Sequence, residues 1–264
     1  MTPFGAALSF GAPLPEDSSA LLRLQQQGFC VLGAAELAAL AGYDAASCAP
    51  AFDLWGDLPP DNYLKDGGHY RYRRHGSFIQ ALRPSPNAGQ SALEAVPHRA
   101  HWQPTSYNAL HGGMSRWFAP LSEALQQAVF WHPLLLGLGR LFDQVRPASR
   151  WFIEAHQFRI DTREGVGRPT PEGAHRDGVD FVAVVLISRR GIRGGETRVF
   201  ELAGQRGVRF TLSEPCSVLL MDDTRVIHES TPVLPEGETT GGWRDTLVLT
   251  YRAGGFLDPQ APAT

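Results

Sequence analysis

At 264 residues, with 43% hydrophobic and 10% aromatic content, the chain has material for a sizeable core, and its most apolar stretch, residues 131–142, falls short of the roughly 18 residues of a membrane span. A net charge of -3, with dispersed arginines and Lys65 as sole lysine, gives no electrostatic reason to expect nucleic acid, so the expected partner is a small molecule. Cys30, Cys48 and Cys216 are odd in number and lack ligand-like spacing, which argues against a disulfide framework and fits a reducing cytoplasm.

In chain order, residues 1–10 lack basic residues and an uninterrupted apolar run, so they do not read as an export signal. Asp17, Ser18 and Ser19 predict an N-cap for a helix carrying Leu21, Leu22 and Leu24 and ended by Gly28. A short strand over 29–32 and a short helix over 36–40 follow; residues 50–61, broken by Gly56, Pro59 and Pro60, are expected to be irregular. Residues 69–82 alternate as a strand, with Arg71 and Arg73 on one face. These two are candidate contacts for an acidic or amino-acid substrate, although solvent-facing partners of surface acids is the simpler reading. Apolar spacing over 121–145 predicts a long helix with a break at Pro133.

From Trp151 onward the strands are expected to be antiparallel, joined by Gly-rich turns at 165–167, 191–195 and 204–207. That spacing predicts a mainly β fold, a double-sheet jelly roll with flanking helices. One domain is expected: residues 1–65 as a helical or irregular buttress and 66–255 as the jelly-roll core, with a helical insert near 117–146. No glycine cluster opens a helix after a strand, which excludes a nucleotide loop, and a Pro/Ala tail follows Asp258.

The chemistry concentrates in three places. His175 and Asp177, two residues apart on an extended segment, point to one face while Arg176 points away, and an apolar strand over 179–187 follows them. His228 arrives after a second apolar strand, 217–221, and a polar turn at Asp222, Asp223 and Thr224. Two imidazoles and one carboxylate on one side of a metal leave three positions open, the arrangement of non-haem Fe(II) oxygenases. Finally, residues 243–252 alternate so that Arg244, Thr246, Val248 and Thr250 share a face, giving a guanidinium with a neighbouring hydroxyl, a clamp for a carboxylate. Gln157 shares a strand face with Arg159 and Asp161, either as a contact for cosubstrate or substrate or as the solvated side. His156 lacks a paired carboxylate, and His101, His111 and His132 sit alone, so structural roles are expected for all four.

This pattern, His-x-Asp, a distant His and then Arg-x-Thr, resembles that of the Fe(II)/2-oxoglutarate-dependent dioxygenases. The stretches 156–160, 173–178, 194–197 and 228–232 are similar to the bacterial branch that includes free L-isoleucine 4-hydroxylase and the biofilm-associated BsmA-like proteins, over about residues 65–255. The resemblance implies Fe(II) held by His175, Asp177 and His228, 2-oxoglutarate as cosubstrate with its far carboxylate on Arg244 assisted by Thr246, and O₂ consumed in hydroxylating a small substrate, with a free aliphatic L-amino acid as the best guess. The insert over 234–242, between His228 and Arg244, departs from the family's common spacing. Two alternatives remain at this point: a cupin-like metalloenzyme that does not use 2-oxoglutarate, and a non-enzymatic metal-binding barrel in stress or biofilm regulation, against which the intact triad argues.

Overall fold

The computed structural model describes residues 14–15, 17–83, 92–237 and 241–259. The expectation for residues 1–10 lies outside them, as do Glu238, Thr239 and Thr240 of the insert and the tail from Gln260.

Helix α1 (Ala20–Gln27) begins at Ser19, whose Oγ accepts the Leu22 N–H at 3.2 Å, and ends at Gly28 with φ 77°. Strand β1 (Phe29–Leu32), buried throughout, and α2 (Ala34–Ala41) follow as the pattern predicts. The stretch expected to be irregular instead begins as a 3-10 helix, Ala45–Trp55, capped by Asp44, whose Oδ1 accepts from Ala46 N at 3.0 Å. Tertiary burial overrides the local Pro50 signal here: fully buried Trp55 donates through Nε1 to the Thr246 carbonyl at 3.1 Å.

Next come β2 (Arg71–Ala81), β3 (Leu93–Ala95) and β4 (Ala119–Pro120). The single helix expected over 121–145 is two, α3 (Glu123–Gln126) and α4 (Trp131–Val145). Their break falls before Pro133, which occupies the first turn of α4, where backbone N–H groups have no intrahelical partner and the proline ring removes no hydrogen bond. The remaining strands are β5 (Arg150–Asp161), β6 (Phe181–Arg190), β7 (Ile192–Gly194), β8 (Thr197–Glu201), β9 (Gly207–Phe210), β10 (Val218–Asp222), β11 (Val226–Ser230), β12 (Val233–Pro235) and β13 (Trp243–Arg252).

The major sheet runs β1-β10-β6-β13-β5-β2-β3, with β4 added beside β2 in the one parallel pairing among the described strands; β11-β8-β9 and β12-β7 form two smaller antiparallel sheets. This is the jelly-roll architecture. The pleat divides the central strands cleanly. Odd residues of β5, β6 and β13, including Trp151, Ile153, Phe181, Val185, Leu247, Leu249 and Tyr251, join Leu134, Leu138 and Phe142 of α4 in the main core. Phe142 stacks on Phe181 at 4.5 Å, and Tyr251 donates its hydroxyl to the Leu135 carbonyl at 2.9 Å, so α4 is clamped to the back of the sheet. Gly137 lets α4 approach α2 closely: a Cβ there would meet Ala41 Cα at 2.5 Å.

The opposite face is apolar only in part. Val182 and Leu186 pack with Val199, Leu219, Met221 and Val226 into a second core between the sheets, while the front faces of β2, β5 and β13 are left to line a cavity. All three cysteines are free and buried, and no helix among the described residues is long and apolar enough to cross a membrane.

Candidate metal centre and its cavity

A cavity of about 130 Å³ lies between the front of the major sheet and β11. Its lining follows the strand alternation: Arg71 and Arg73 from β2, Glu154, His156, Phe158 and Ile160 from β5, and Arg244, Thr246, Val248 and Thr250 from β13. His175 and Asp177 reach it from the segment before β6, and His228 from β11.

The extended segment at His175 pairs with β11 through an isolated antiparallel bridge, His175 N to His228 O at 3.0 Å and His228 N to His175 O at 2.9 Å. Directly opposed residues project to one face, so the pairing brings the two rings to 4.7 Å between centroids. His175 Nδ1–H donates to the Gly173 carbonyl at 2.9 Å, which fixes the tautomer and leaves Nε2 as the ligand atom. From the two Nε2 atoms, Asp177 Oδ1 lies 3.8 Å from His175 and Oδ2 lies 3.9 Å from His228. Two ligands each about 2.1 Å from one ion lie roughly 3 Å apart at right angles and roughly 4 Å apart when opposed, so these three groups can meet a single cation with small inward turns. Burial, then the neighbouring His175, hold His228 well below the usual imidazole range, so it is neutral and ready to ligate, and its Nδ1 is a buried atom without a partner. For His175, burial pulls down but Asp177 and Glu172 win and push it up, a proton affinity that a cation at the same place would exploit.

Asp223, in the polar turn before β11, aims Asp177. Its Oδ1 accepts from Asp177 N at 3.0 Å, and its Oδ2 accepts from Gly178 N at 2.9 Å and Val179 N at 3.1 Å. Burial and the facing charge of Asp177 push its carboxyl up to about 7 against these three donors.

Arg244 is 4% exposed, lines the cavity beside Thr246, and carries an Nε without a partner. Burial, with Arg189 adding, lowers it to about 10. The adjacent Asp245 does not neutralise it, because the pleat sends that carboxylate to the other face, where Arg159 grips it bidentately at 2.8 Å and Ser188 donates at 2.7 Å. Arg244 is therefore a buried cation facing a cavity, a fitting receiver for an anion.

Two expectations need correction. Gln157 does not reach the cavity: it sits on the odd face of β5, and its amide donates to the Leu54 carbonyl at 2.9 Å, because the cavity takes the even residues. Arg71 and Arg73 are not solvent-facing but 5% and 3% exposed, sharing Asp61 at 2.7 and 3.7 Å, with Arg73 held between Phe118 at 3.7 Å and Phe158 at 4.3 Å. Two further cavity residues, Gln103 and Arg116, carry no signal in the sequence pattern, and His101, expected to stand alone, joins His156, expected to lack a paired carboxylate, in a cluster.

His75, His101, Glu154 and His156 form that cluster, close enough together to hold a cation. Their hydrogen bonds favour a different role. His75 Nε2 and His101 Nδ1 each donate to the Glu154 carboxylate at 3.1 Å, and His156 Nδ1 receives Arg73 Nη2 at 2.6 Å. A guanidinium on one donor atom and N–H groups on the carboxylate oppose a metal there, whereas the His175, Asp177 and His228 atoms keep their lone pairs for one.

Comparison with known proteins places the chain in a family. A family described as 2OG-Fe dioxygenase matches residues 53–250, most of the chain. A crystal structure of a bsmA homologue from Methylobium petroleophilum PM1 is 62% identical, covers 92% of this chain and 94% of its own, and superposes with a TM-score of 0.84. In fold, the chain is also similar to IDO from Bacillus thuringiensis (16% identity, 89% and 94% covered, TM-score 0.68) and to the Fe(II)/α-ketoglutarate-dependent dioxygenase TqaL (19%, 88% and 84%, 0.65). No curated protein matches the sequence significantly. Two imidazoles with a carboxylate and a buried arginine that no described carboxylate contacts fit Fe(II) and 2-oxoglutarate, and the chain belongs to the 2OG-Fe dioxygenase family as an Fe(II)-, 2-oxoglutarate- and O₂-dependent dioxygenase.

Proposed function

We propose that the enzyme hydroxylates a free aliphatic L-amino acid, with His175, Asp177 and His228 holding Fe(II), Arg244 with Thr246 receiving the far carboxylate of 2-oxoglutarate, and Arg71 and Arg73 on the substrate side. Bound there, Fe(II) with 2-oxoglutarate and O₂ supplies the oxidising power to insert oxygen into an unactivated C–H bond.

The observation that carries this reading is the distribution of charge across the cavity. In the sheet register Arg244 pairs with Ile160, which pairs with Arg71, so two separate cationic sides stand on β13 and β2 with β5 between them. Two strand spacings set those backbones roughly 10 Å apart. One side suits the cosubstrate dicarboxylate, and the other adds positive charge beside the space for a second, small, acid-bearing molecule. Between them Phe158, Val184 and Val248 offer the apolar lining an aliphatic chain requires. The residues' own work is positional: Asp223 holds the ligand turn, Arg244 orients the cosubstrate, and the buried lining limits water near the reacting carbon.

The test is anaerobic reconstitution with Fe(II) and 2-oxoglutarate, followed by aerobic screening of aliphatic amino acids for succinate formation. A metal-to-ligand absorption band absent in His175→Ala and Asp177→Ala, and succinate release stimulated by an aliphatic amino acid, support the proposal. A normal band with no amino acid stimulating turnover removes the substrate assignment.

A further inference from the structure

His101 and Arg116 lie opposite one another across an isolated antiparallel bridge, each backbone N–H donating to the other's carbonyl at 2.9 Å. Opposed residues of such a pair project side by side from one face, and both of these line the cavity. Their side chains are complementary in kind.

Arg116 is 2% exposed and makes no direct ion pair among the described residues; its Nη2 donates to the neutral Gln103 Oε1 at 3.0 Å, and its Nε has no hydrogen-bond partner among them. Asp61, Glu172 and Glu154 act on it only from a distance, so a buried guanidinium bordering a cavity keeps donor capacity that an anion in contact would fill. His101 offers the opposite. Its Nδ1–H donates to Glu154 Oε2 at 3.1 Å, which fixes the tautomer and leaves Nε2 with a free lone pair. Glu154, which also lines the cavity, gives this side of the ribbon its negative charge.

The location ties the pair to the reaction. Gln103, which accepts from Arg116, donates through Nε2 to Asp177 Oδ1 at 3.3 Å, so the Arg116 guanidinium stands one side-chain amide from the candidate metal carboxylate. A small molecule gripped at Arg116 would present carbons only a few bonds from its head group to the metal.

We propose that the His101–Arg116 bridge is the head-group site of the primary substrate, the Arg116 guanidinium taking the α-carboxylate and His101 Nε2, with Glu154 behind it, accepting from the α-ammonium. This deepens the amino-acid reading above and rests on it. Arg71 and Arg73, whose charges are shared with Asp61, stand as flanking residues, and Arg116 is the specificity-determining cation.

The experiment uses the Fe(II)- and 2-oxoglutarate-loaded enzyme under anaerobic conditions, with substrate binding read as a perturbation of the absorption band. Probes are the aliphatic amino acid that perturbs the wild-type band most, its des-amino carboxylic acid and its decarboxylated amine. In the wild type the amino acid should bind at least about tenfold more tightly than either truncated analogue. Arg116→Met should cost the amino acid and the carboxylic acid about tenfold or more while leaving the amine unchanged, and Arg116→Lys should recover part of the loss. His101→Phe should lower amino-acid affinity to that of the carboxylic acid. Equal wild-type binding of amino acid and carboxylic acid overturns the proposal without any variant having to fold. Amino-acid binding insensitive to Arg116→Met, with the cosubstrate band intact, overturns it too and leaves the substrate reading standing. A wild-type band that no amino acid perturbs removes that reading and this site together.

Discussion

The backbone N–H of Asp177 donates to the Asp223 carboxylate at 3.0 Å, so the direction of one acid is set by another. With Gly178 N and Val179 N on its second oxygen, Asp223 closes the turn that carries the candidate metal carboxylate. Asp223→Asn replaces one of those acceptors with an amide N–H that faces donors. The expected result is a tenfold to hundredfold loss of Fe(II) affinity, the usual cost of removing an outer partner of a ligand, and about 1–3 kcal/mol of stability from buried unpaired N–H groups. Metal titration and thermal melting of the same variant check both, and unchanged metal affinity would show that Asp177 is aimed by something else.

Arg244 should separate cosubstrate binding from fold stability. Its guanidinium is buried, lowered to about 10 by that burial, and contacts no carboxylate among the described residues, so the protein without ligand carries a desolvation cost that Asp245 offsets only in part. Arg244→Met is expected to leave the melting temperature of the ligand-free protein equal or higher, while weakening 2-oxoglutarate about tenfold to hundredfold with Fe(II) affinity kept. A variant that melts lower and binds 2-oxoglutarate normally would make Arg244 a structural residue.

These two residues mark what was legible in the sequence and what was not. Beyond Asp245 the odd face of β13 is apolar or aromatic, so Arg244, Thr246, Val248 and Thr250 could be placed together from the pattern, and they do line one cavity. On β5 both faces carry polar groups, Glu154 and His156 against Gln157 and Arg159, and periodicity alone cannot choose the inner one. Register chooses it: Val248 pairs with His156, and the cavity face of β13 dictates that of β5. Arg116, His101 and Gln103 lie where no period exists, between β3 and β4, and only a long-range bridge assembles them.

Acidification should draw stability from the histidine–glutamate cluster in the cavity wall. Burial lowers His101 to about 4, against the pull of Glu154, and lowers His156 well below its usual range. A histidine depressed in the folded state binds fewer protons there than when unfolded, so stability is lost as pH falls from about 6.5 toward 4, by at most on the order of 3 kcal/mol for His101. Glu154 is opposed by burial but held well below the carboxylate range by the N–H groups of His101 and His75, and its contribution is lost on acidification below about 4.5. Asp223, raised to about 7, gains stability over the same upper window, so the histidine contribution is read as the difference in melting temperature between wild type and His101→Phe, which should change between pH 6.5 and 4. A difference that stays level between pH 6.5 and 4 would contradict a buried neutral His101.

Gly178 follows Asp177 with φ 80°, and a Cβ there would meet Tyr107 Cδ2 at 2.3 Å. Left-handed backbone alone costs an L-residue about 1–2 kcal/mol, and at this position a clash with an aromatic ring is added to that. Relief requires either Tyr107 or the ligand turn to move. Because Asp177 and Gly178 share the Asp223 carboxylate, movement of the turn moves the candidate metal carboxylate. Gly165 supplies the control, since it has φ 109° and nothing within 4 Å of its Cβ position, and it lies away from the site. Gly165→Ala should cost stability only, whereas Gly178→Ala should lose stability and at least tenfold in Fe(II) affinity, by the same outer-partner argument. Equal metal affinity in the two variants would mean that Tyr107 yields and the ligand turn does not.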